Sequence, residues 1–387
     1  MKEQIQNLSE EFFDEIVSVR RHLHMNPELS FEEYETSKYI KSLLLSWKID
    51  YNDDFENNGF SVLIKGKSPN SKVLALRADF DALPIKEEND VIYKSKKDGI
   101  MHACGHDAHT ACLLGAIKIL NETKDLWKGT IKCIFQPAEE RLPGGAKQMI
   151  KDGVLENPKV KHVIAQHVLP ELEVGKVGFR EGIYMASTDE IYISVIGVGG
   201  HAAIPSNYNN PLIASSQLIL NLNEFFSKEE DAIFALGYVN GEGSTNVIPD
   251  KVKLMGTFRA INEKFREKSH NDINNIVNHV AEKYNLKIDL EIRNGYPSLH
   301  NDNDFTRNNI LKAKEYLGDE NVIDLPIRMT AEDFSYFANA CPSCFYRLGT
   351  GNKEKGITHG LHTSRFDIDE DSLKIGMGII AFLAISS

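Results

Sequence analysis

The sequence predicts an α/β fold: a mostly parallel sheet with helices on both faces, carrying an inserted α+β domain of βαββαβ, ferredoxin-like order. Three observations predict it. Short apolar runs alternate with helical periodicity through residues 1–187. From about residue 188 the pattern changes to β-α-β-β-α-β, and after residue 294 helices and short apolar runs return. Strands buried on both faces read as continuous apolar runs, whereas half-exposed strands alternate. The expected division is therefore one domain in two segments, 1–187 and 295–387, interrupted by a second at 188–294.

The elements follow in order. "LSEEFFDEIVSVRRHLH" has helical spacing behind Ser9 as a cap, and "YETSKYIKSLLLSW" is a second helix. "KVLALRADFDALP" is a strand ending in acids, and "HTACLLGAIKIL" an apolar helix with Asp107 placed to cap it. "GTIKCIFQPAEE" and "KHVIAQHVLP" are strands that stop at polar residues. In the insert, "DEIYISVIG" alternates, "PLIASSQLILNLNEFF" is helical, and "AIFALGYVNG" and "DKVKLMGTFRA" are strands joined by a Gly-rich turn. A polar amphipathic helix (263–284) and the strand "LKIDLEIRN" complete a split βαβ unit able to fold by itself. A helix near 304–317, the run "CFYRLG" and the helix "DSLKIGMGIIAFLAIS" close the chain.

Composition narrows the class. Hydrophobic residues at 42% and charged residues at 26% suit a globular protein, and the net charge of −12 argues against nucleic acid or an anionic membrane as partner. No stretch reaches membrane-spanning length, and the N-terminal residues lack the apolar core of a secretion signal. Five cysteines, few and odd in number, favour a reducing compartment, so the cytoplasm is expected.

The chemistry concentrates at "MHACGHDAHT" (101–110), in a chain of 387 residues with only 13 His and 5 Cys. Cys104 and His106 precede an apolar helix. Asp79 and Asp81 follow one strand, Glu139 and Glu140 another, and His167 a third. If these strands are parallel, all the groups meet at the carboxyl edge of one sheet, where α/β folds place their sites. Thiolate, imidazole and carboxylate together suit zinc-like divalent ions. In an adjacent Glu pair, one carboxylate can bind metal while its neighbour takes a proton from water. His102 and His109 are read either as ligands or as groups that orient ligands. Each element also has a plainer reading: a lone "EE" is usually a solvated pair, and a strand-end His usually structural.

Other motifs fail. "GVGGHAA" (197–203) imitates a dinucleotide-binding turn, but Pro205 stands where the helix should run. "GKS" lacks the upstream glycine of a phosphate loop, and "CPSC" (341–344) has no second pair and is read as a structural loop.

Taken together, "RRHLHMNPELSFEE", "LRADFDALP", "MHACGHDAH", "FQPAEE", "QHVLP", "GVGGHAAIP", "NVIPD", "GTFRA", "EDFSYFA" and "GLHTSRFD" run in order over nearly the whole chain. The sequence thereby resembles the metal-dependent amidohydrolases of peptidase family M20, in the branch with hippurate hydrolase, the indole-acetyl-amino-acid hydrolases and N-acetyldiaminopimelate deacetylases. The resemblance implies two divalent ions, zinc or manganese, at Cys104, His106, Glu140, His167 and His362, with Cys104 bridging them. It implies Glu139 as general base, Asp81 as an acid near the metals, and His201 as a lid histidine that contacts the reacting carbonyl. Asn246 and Arg259 match polar lid positions that either hold a substrate carboxylate or serve structure. The 188–294 insert matches a lid or dimerisation domain, which implies a homodimer. The implied reaction is hydrolysis of N-acyl amino acids to a carboxylic acid and an amino acid. A dipeptidase or other metallo-exopeptidase is the alternative, and a non-catalytic metal-binding protein a more distant one. Departures from the family pattern, at Ser206, Asn210-Pro211, "CPSC" and "AQH", bear on substrate and lid contacts rather than on the hydrolytic class.

Overall fold

A computed structural model describes residues 1–386. The apolar runs form the sheet. Strands β1 (Tyr51–Asn52), β2 (Phe60–Lys65), β3 (Val73–Asp79), β4 (Thr130–Gln136) and β5 (His162–Glu173) join Val177–Phe179, Val322–Asp324 and Ser343–Gly351 in one eight-stranded sheet. Its centre runs β4-β3-β5-(343–351), and these neighbours are all parallel. Its flanks are antiparallel, β2 against β4 and 177–179 against 343–351. Every residue of β3, β4 and 343–351 is buried, so these strands are covered on both faces.

Helices α1 (Lys2–Glu11), α2 (Phe13–Met25), α3 (Tyr34–Ser46) and α4 (His106–Glu122) share one apolar core with the sheet and with helix Asp371–Ser386. Helix α4 is apolar nearly all round and accordingly almost wholly buried. Gly115 lets it approach the C-terminal helix: a Cβ there would lie 2.6 Å from Met377 Sδ.

Two expected caps are not caps. Ser9 lies inside α1, its hydroxyl donating to Ile5 O at 2.8 Å. At α4 the cap is Gly105, in the left-handed region at φ +80°, where a Cβ would meet Val168 Cγ2 at 2.5 Å. Asp107 falls in the first helical turn, and its carboxylate accepts from the fully buried Arg20 at 2.8 Å. A buried guanidinium needs a counter-charge, and that demand outweighs capping here. Likewise "CPSC" is not all loop, since Ser343 and Cys344 begin a buried strand.

The chain divides into two compact units, one of residues 1–182, 300–326 and 333–387, the other of 183–299 with 327–332. The second unit holds an antiparallel sheet in the order Ala232–Asn240, Lys251–Ala260, Asp189–Ile196, Lys287–Asn294, with helices Pro211–Phe226 and Glu263–Tyr284. This is the split βαβ arrangement expected from the pattern. It has its own core, to which Ile191, Ile193, Leu218, Phe226, Ile273 and Val277 contribute. Asp189–Ile196 alternates buried and half-buried along its length. Among the described residues no helix is long and apolar enough to cross a membrane.

Candidate metal centre

Strand register brings the candidate groups to one level. Asp79 pairs with Gln136 at the end of β4, just before Glu139 and Glu140. Arg77 pairs with Ala165, so two residues further His167 is level with Asp79. His167 does not follow its strand, however. It lies within β5, which continues to Glu173 because strand 343–351 pairs alongside it. Helix α4 and the loop before it supply His106 and Cys104. His362 comes from the loop before the C-terminal helix, at φ +60°, its N–H donating to Ala103 O at 2.8 Å.

The side chains converge. Cys104 Sγ lies 3.5 Å from His167 Nε2 and 3.3 Å from His362 Nε2. Glu140 Oε1 lies 3.2 Å from His362 Nε2 and 3.8 Å from His106 Nε2. Donor atoms of Cys104, His106 and His167 fall within 4.8 Å of one another, as do those of Cys104, Glu140 and His362, and those of His106, Glu139 and Glu140. Cys104, His106 and Glu140 each belong to two such groups, so the groups adjoin one another.

The residues fit cations. His106 Nε2 and Glu140 Oε1 are buried without a hydrogen-bond partner, an arrangement that native interiors rarely tolerate. Burial, with Glu140, Glu139 and Asp79 nearby, raises the Cys104 thiol well above its usual pKa, so a thiolate there needs added positive charge. Burial opposes charging of His106, but Asp79, Asp81 and Glu140 outweigh it and push its pKa up to about 10. Carboxylates gather around Cys104 and His106, a donor set that suits a bound cation.

A second layer aims the first. Asp81 Oδ1 lies 3.0 Å from His106 Nδ1, while its Oδ2 accepts from Ser30 Oγ at 2.7 Å and from the Glu140 N–H at 3.0 Å. Asp81 therefore stands behind His106 and orients it, leaving Nε2 facing the cluster. His167 Nδ1 donates to Val168 O at 2.7 Å, which turns its Nε2 towards Cys104. His109 is occupied at both nitrogens, Nδ1 on Asp79 Oδ1 at 2.6 Å and Nε2 accepting from the Val168 N–H at 2.9 Å. Both of its ring nitrogens are thus engaged within the protein, although Asp79, His106 and His109 also present ligand atoms within 4.8 Å of one another. His102 is buried, its two ring nitrogens have no hydrogen-bond partner, and burial lowers its pKa to about 4.

Three groups were not legible as parts of the site. Arg77, buried within β3, donates to Gln136 Oε1 at 2.8 Å, Asp79 Oδ2 at 2.6 Å and Asp333 Oδ1 at 2.7 Å. The Asp333 N–H in turn faces Glu139 Oε1 at 3.4 Å. Glu33 is buried and reaches the Ala138 N–H. Charged residues within an apolar run, and the acids of "EDFSYFA", were the available signals.

In the second unit, exposed His201 pairs with Val247 in a two-residue ladder, and its Nδ1 accepts from the Ala203 N–H at 3.1 Å. Asn246 is its neighbour, its carbonyl accepting from the Ala202 N–H at 3.0 Å. Arg259 lies on strand 251–260 and donates to Met329 O at 3.4 Å. The glycines of "GVGG" serve approach inside this unit: a Cβ on Gly197 would lie 2.2 Å from Asn209 O, and one on Gly199 2.5 Å from Ile248 O.

The sequence model of peptidase family M20/M25/M40 matches residues 75–386. The chain belongs to this family. It is therefore a hydrolase of C–N bonds with a metal-binding site. An N-acetyl-L-cysteine deacetylase of Bacillus subtilis is 38% identical over 93% of this chain and 85% of that protein. A thermostable carboxypeptidase of Saccharolobus solfataricus is 36% identical over 99% of this chain and 98% of its own. The crystal structure of a dinuclear metal-binding M20 peptidase from B. subtilis superimposes with a TM-score of 0.82 at 32% identity, covering 97% of this chain and 98% of that one.

Proposed function

We propose that this protein hydrolyses the amide bond of N-acyl amino acids. The observation that carries the reading is the pairing of two ligand groups, sharing Cys104, with an adjacent carboxylate, Glu139. Cys104, His106, Glu140, His167 and His362 would hold two divalent ions, a nuclearity supported by the dinuclear relative. Such ions, when bound, polarise an amide carbonyl and make water acidic. Glu139, which is 6% exposed, would take the proton from the attacking water and return it to the departing amine. Asp81 and His109 would keep the ligand imidazoles in register. His201, whose Nδ1 is engaged as an acceptor, has Nε2–H to donate to the oxyanion forming on the substrate. Asn246 and Arg259 are the polar candidates for a substrate carboxylate.

The deacetylase similarity favours an acylated amino acid, and the carboxypeptidase similarity supports a second reading, hydrolysis of a peptide bond beside a free carboxylate. One experiment separates them. Metal-free enzyme restored with zinc, manganese or cobalt singly is assayed on acetyl- and benzoyl-amino acids, free dipeptides and blocked peptides. We expect no turnover without metal and acyl-amino acids as the preferred class. Faster cleavage of peptides would favour the second reading, and undiminished activity in metal-free enzyme would exclude both. We also infer a homodimer through the second unit. Its edge strand 232–240 and helix 211–226 expose Ile213, Leu220, Ile233 and Val239. The five cysteines are all free, in accord with the reducing cytoplasm we infer as its compartment.

A further inference from the structure

We propose that Glu33 is a positioning residue for Glu139: from the loop before α3, its carboxyl group holds the Ala138 N–H and so fixes the turn that aims the base. The proposal rests on the reading of Glu139 as general base.

Glu33 and Ala138 are 105 positions apart, yet Glu33 Oε1 accepts from the Ala138 N–H at 2.8 Å, with both residues fully buried. Ala138 is in the left-handed region at φ +54°. A residue with a Cβ adopts that conformation against a steric penalty, so something must hold it. The structure supplies a grip at each end. Ala138 O accepts from the Gly145 N–H at 3.0 Å, and Gly145 is required there because a Cβ would lie 2.0 Å from Pro137 O. Glu33 holds the other end, at the peptide joining Pro137 to Ala138. From this turn Glu139 and Glu140 leave the sheet, and the Glu140 N–H is then caught by Asp81.

The Glu33 carboxyl also engages its own N–H and that of Phe31, while its Oε2 is buried without a hydrogen-bond partner. An apolar side chain would fill the space at less cost than a buried carboxyl. Burial and the nearby Asp81 push the Glu33 pKa up to about 8, so at neutral pH it is mostly an uncharged acid. Glutamine copies that form and retains the accepting oxygen. Aspartate keeps the acid but withdraws it by one methylene.

The test compares Glu33→Gln, Glu33→Asp and Glu33→Ala as metal-loaded enzymes, with Glu139→Gln in parallel. We expect Glu33→Gln to keep kcat within about threefold, and both shortened variants to lose roughly 10- to 100-fold in kcat with KM little changed, as misplacement of a catalytic group does. Metal content should be unchanged, and the acid limb of kcat against pH, which reports the base in the substrate complex, should move in the shortened variants. Normal kcat and pH profile in the shortened variants would overturn the proposal, as would a glutamine variant as impaired as alanine. Failure of both shortened variants to fold would also overturn it, in favour of a purely structural role. If Glu139→Gln keeps full turnover, the reading of Glu139 falls and this proposal with it. If Glu139→Gln is inactive while the shortened variants are normal, only the role of Glu33 falls.

Discussion

Adjacent glutamates at the end of β4 illustrate how position divides chemistry. Glu140 Oε1 faces His106 and His362, whereas Glu139 Oε1 faces the Asp333 N–H. The same functional group, one residue on, meets a different environment because the turn after Gln136 carries the two carboxylates to different neighbours. Glu139→Gln should therefore keep its metal and lose roughly 10²–10⁴-fold in rate, the usual contribution of a general base. Glu140→Gln should lose metal as well as rate. Metal analysis beside initial rates decides it, and equal metal loss in both variants would refute the division. The histidines divide in the same way. His106 and His109 lie close together on α4, but only His106 has an unpartnered nitrogen facing the acids.

Elements are joined at a few buried charges. In the first unit Arg20 of α2 meets Asp107 of α4 and also reaches Asp367 and Glu370. In the second, Asp189 opens the first strand and binds helix Glu263–Tyr284, accepting from Arg266 Nε at 2.9 Å and pairing with His270 Nε2 at 2.7 Å. Burial opposes ionisation of Asp189, but Arg266 and His270 prevail and hold its pKa below the usual carboxylate range. A carboxyl group depressed in the folded state contributes stability above its unfolded pKa, about 3.9, and loses it as pH falls through the folded value. Asp189→Asn should thus cost about 3 kcal/mol at pH 7, the order expected on breaking a buried pair, and progressively less below about pH 4. Urea unfolding followed by far-ultraviolet circular dichroism measures this, since both tryptophans, Trp47 and Trp127, belong to the first unit. A gap that stays constant from pH 7 into acid would contradict the assignment.

At the scale of the molecule, each unit closes its own core, and the second retains apolar surface. Leu220 is 64% exposed and Val239 56%, on the helix and edge strand of that unit. Charged substitutions there should leave the fold intact, because neither side chain is packed in a core. Leu220→Glu combined with Val239→Glu should convert the dimer we infer into a monomer, read by sedimentation at micromolar protein. A wild-type chain that sediments as a monomer would remove the inference.

The sequence by itself determined the layers and most of the donor set. Apolar runs stopping at acids marked β3 and β4, alternation marked 189–196, and the density of His and Cys at 101–110 marked the loop before α4. These are local signals, set by which faces of each element are buried. The sequence could not show that β5 runs past His167, since that depends on its pairing with a strand far along the chain. It could not show that Asp107 serves Arg20 rather than the helix end, or that His109 is consumed by Asp79 and Val168. Nor could it reveal Arg77 and Glu33, ionisable residues whose partners lie in other elements. Such assignments were decided by tertiary structure alone, because a buried polar group must find its partner in space, and sequence spacing carries no record of who that partner is.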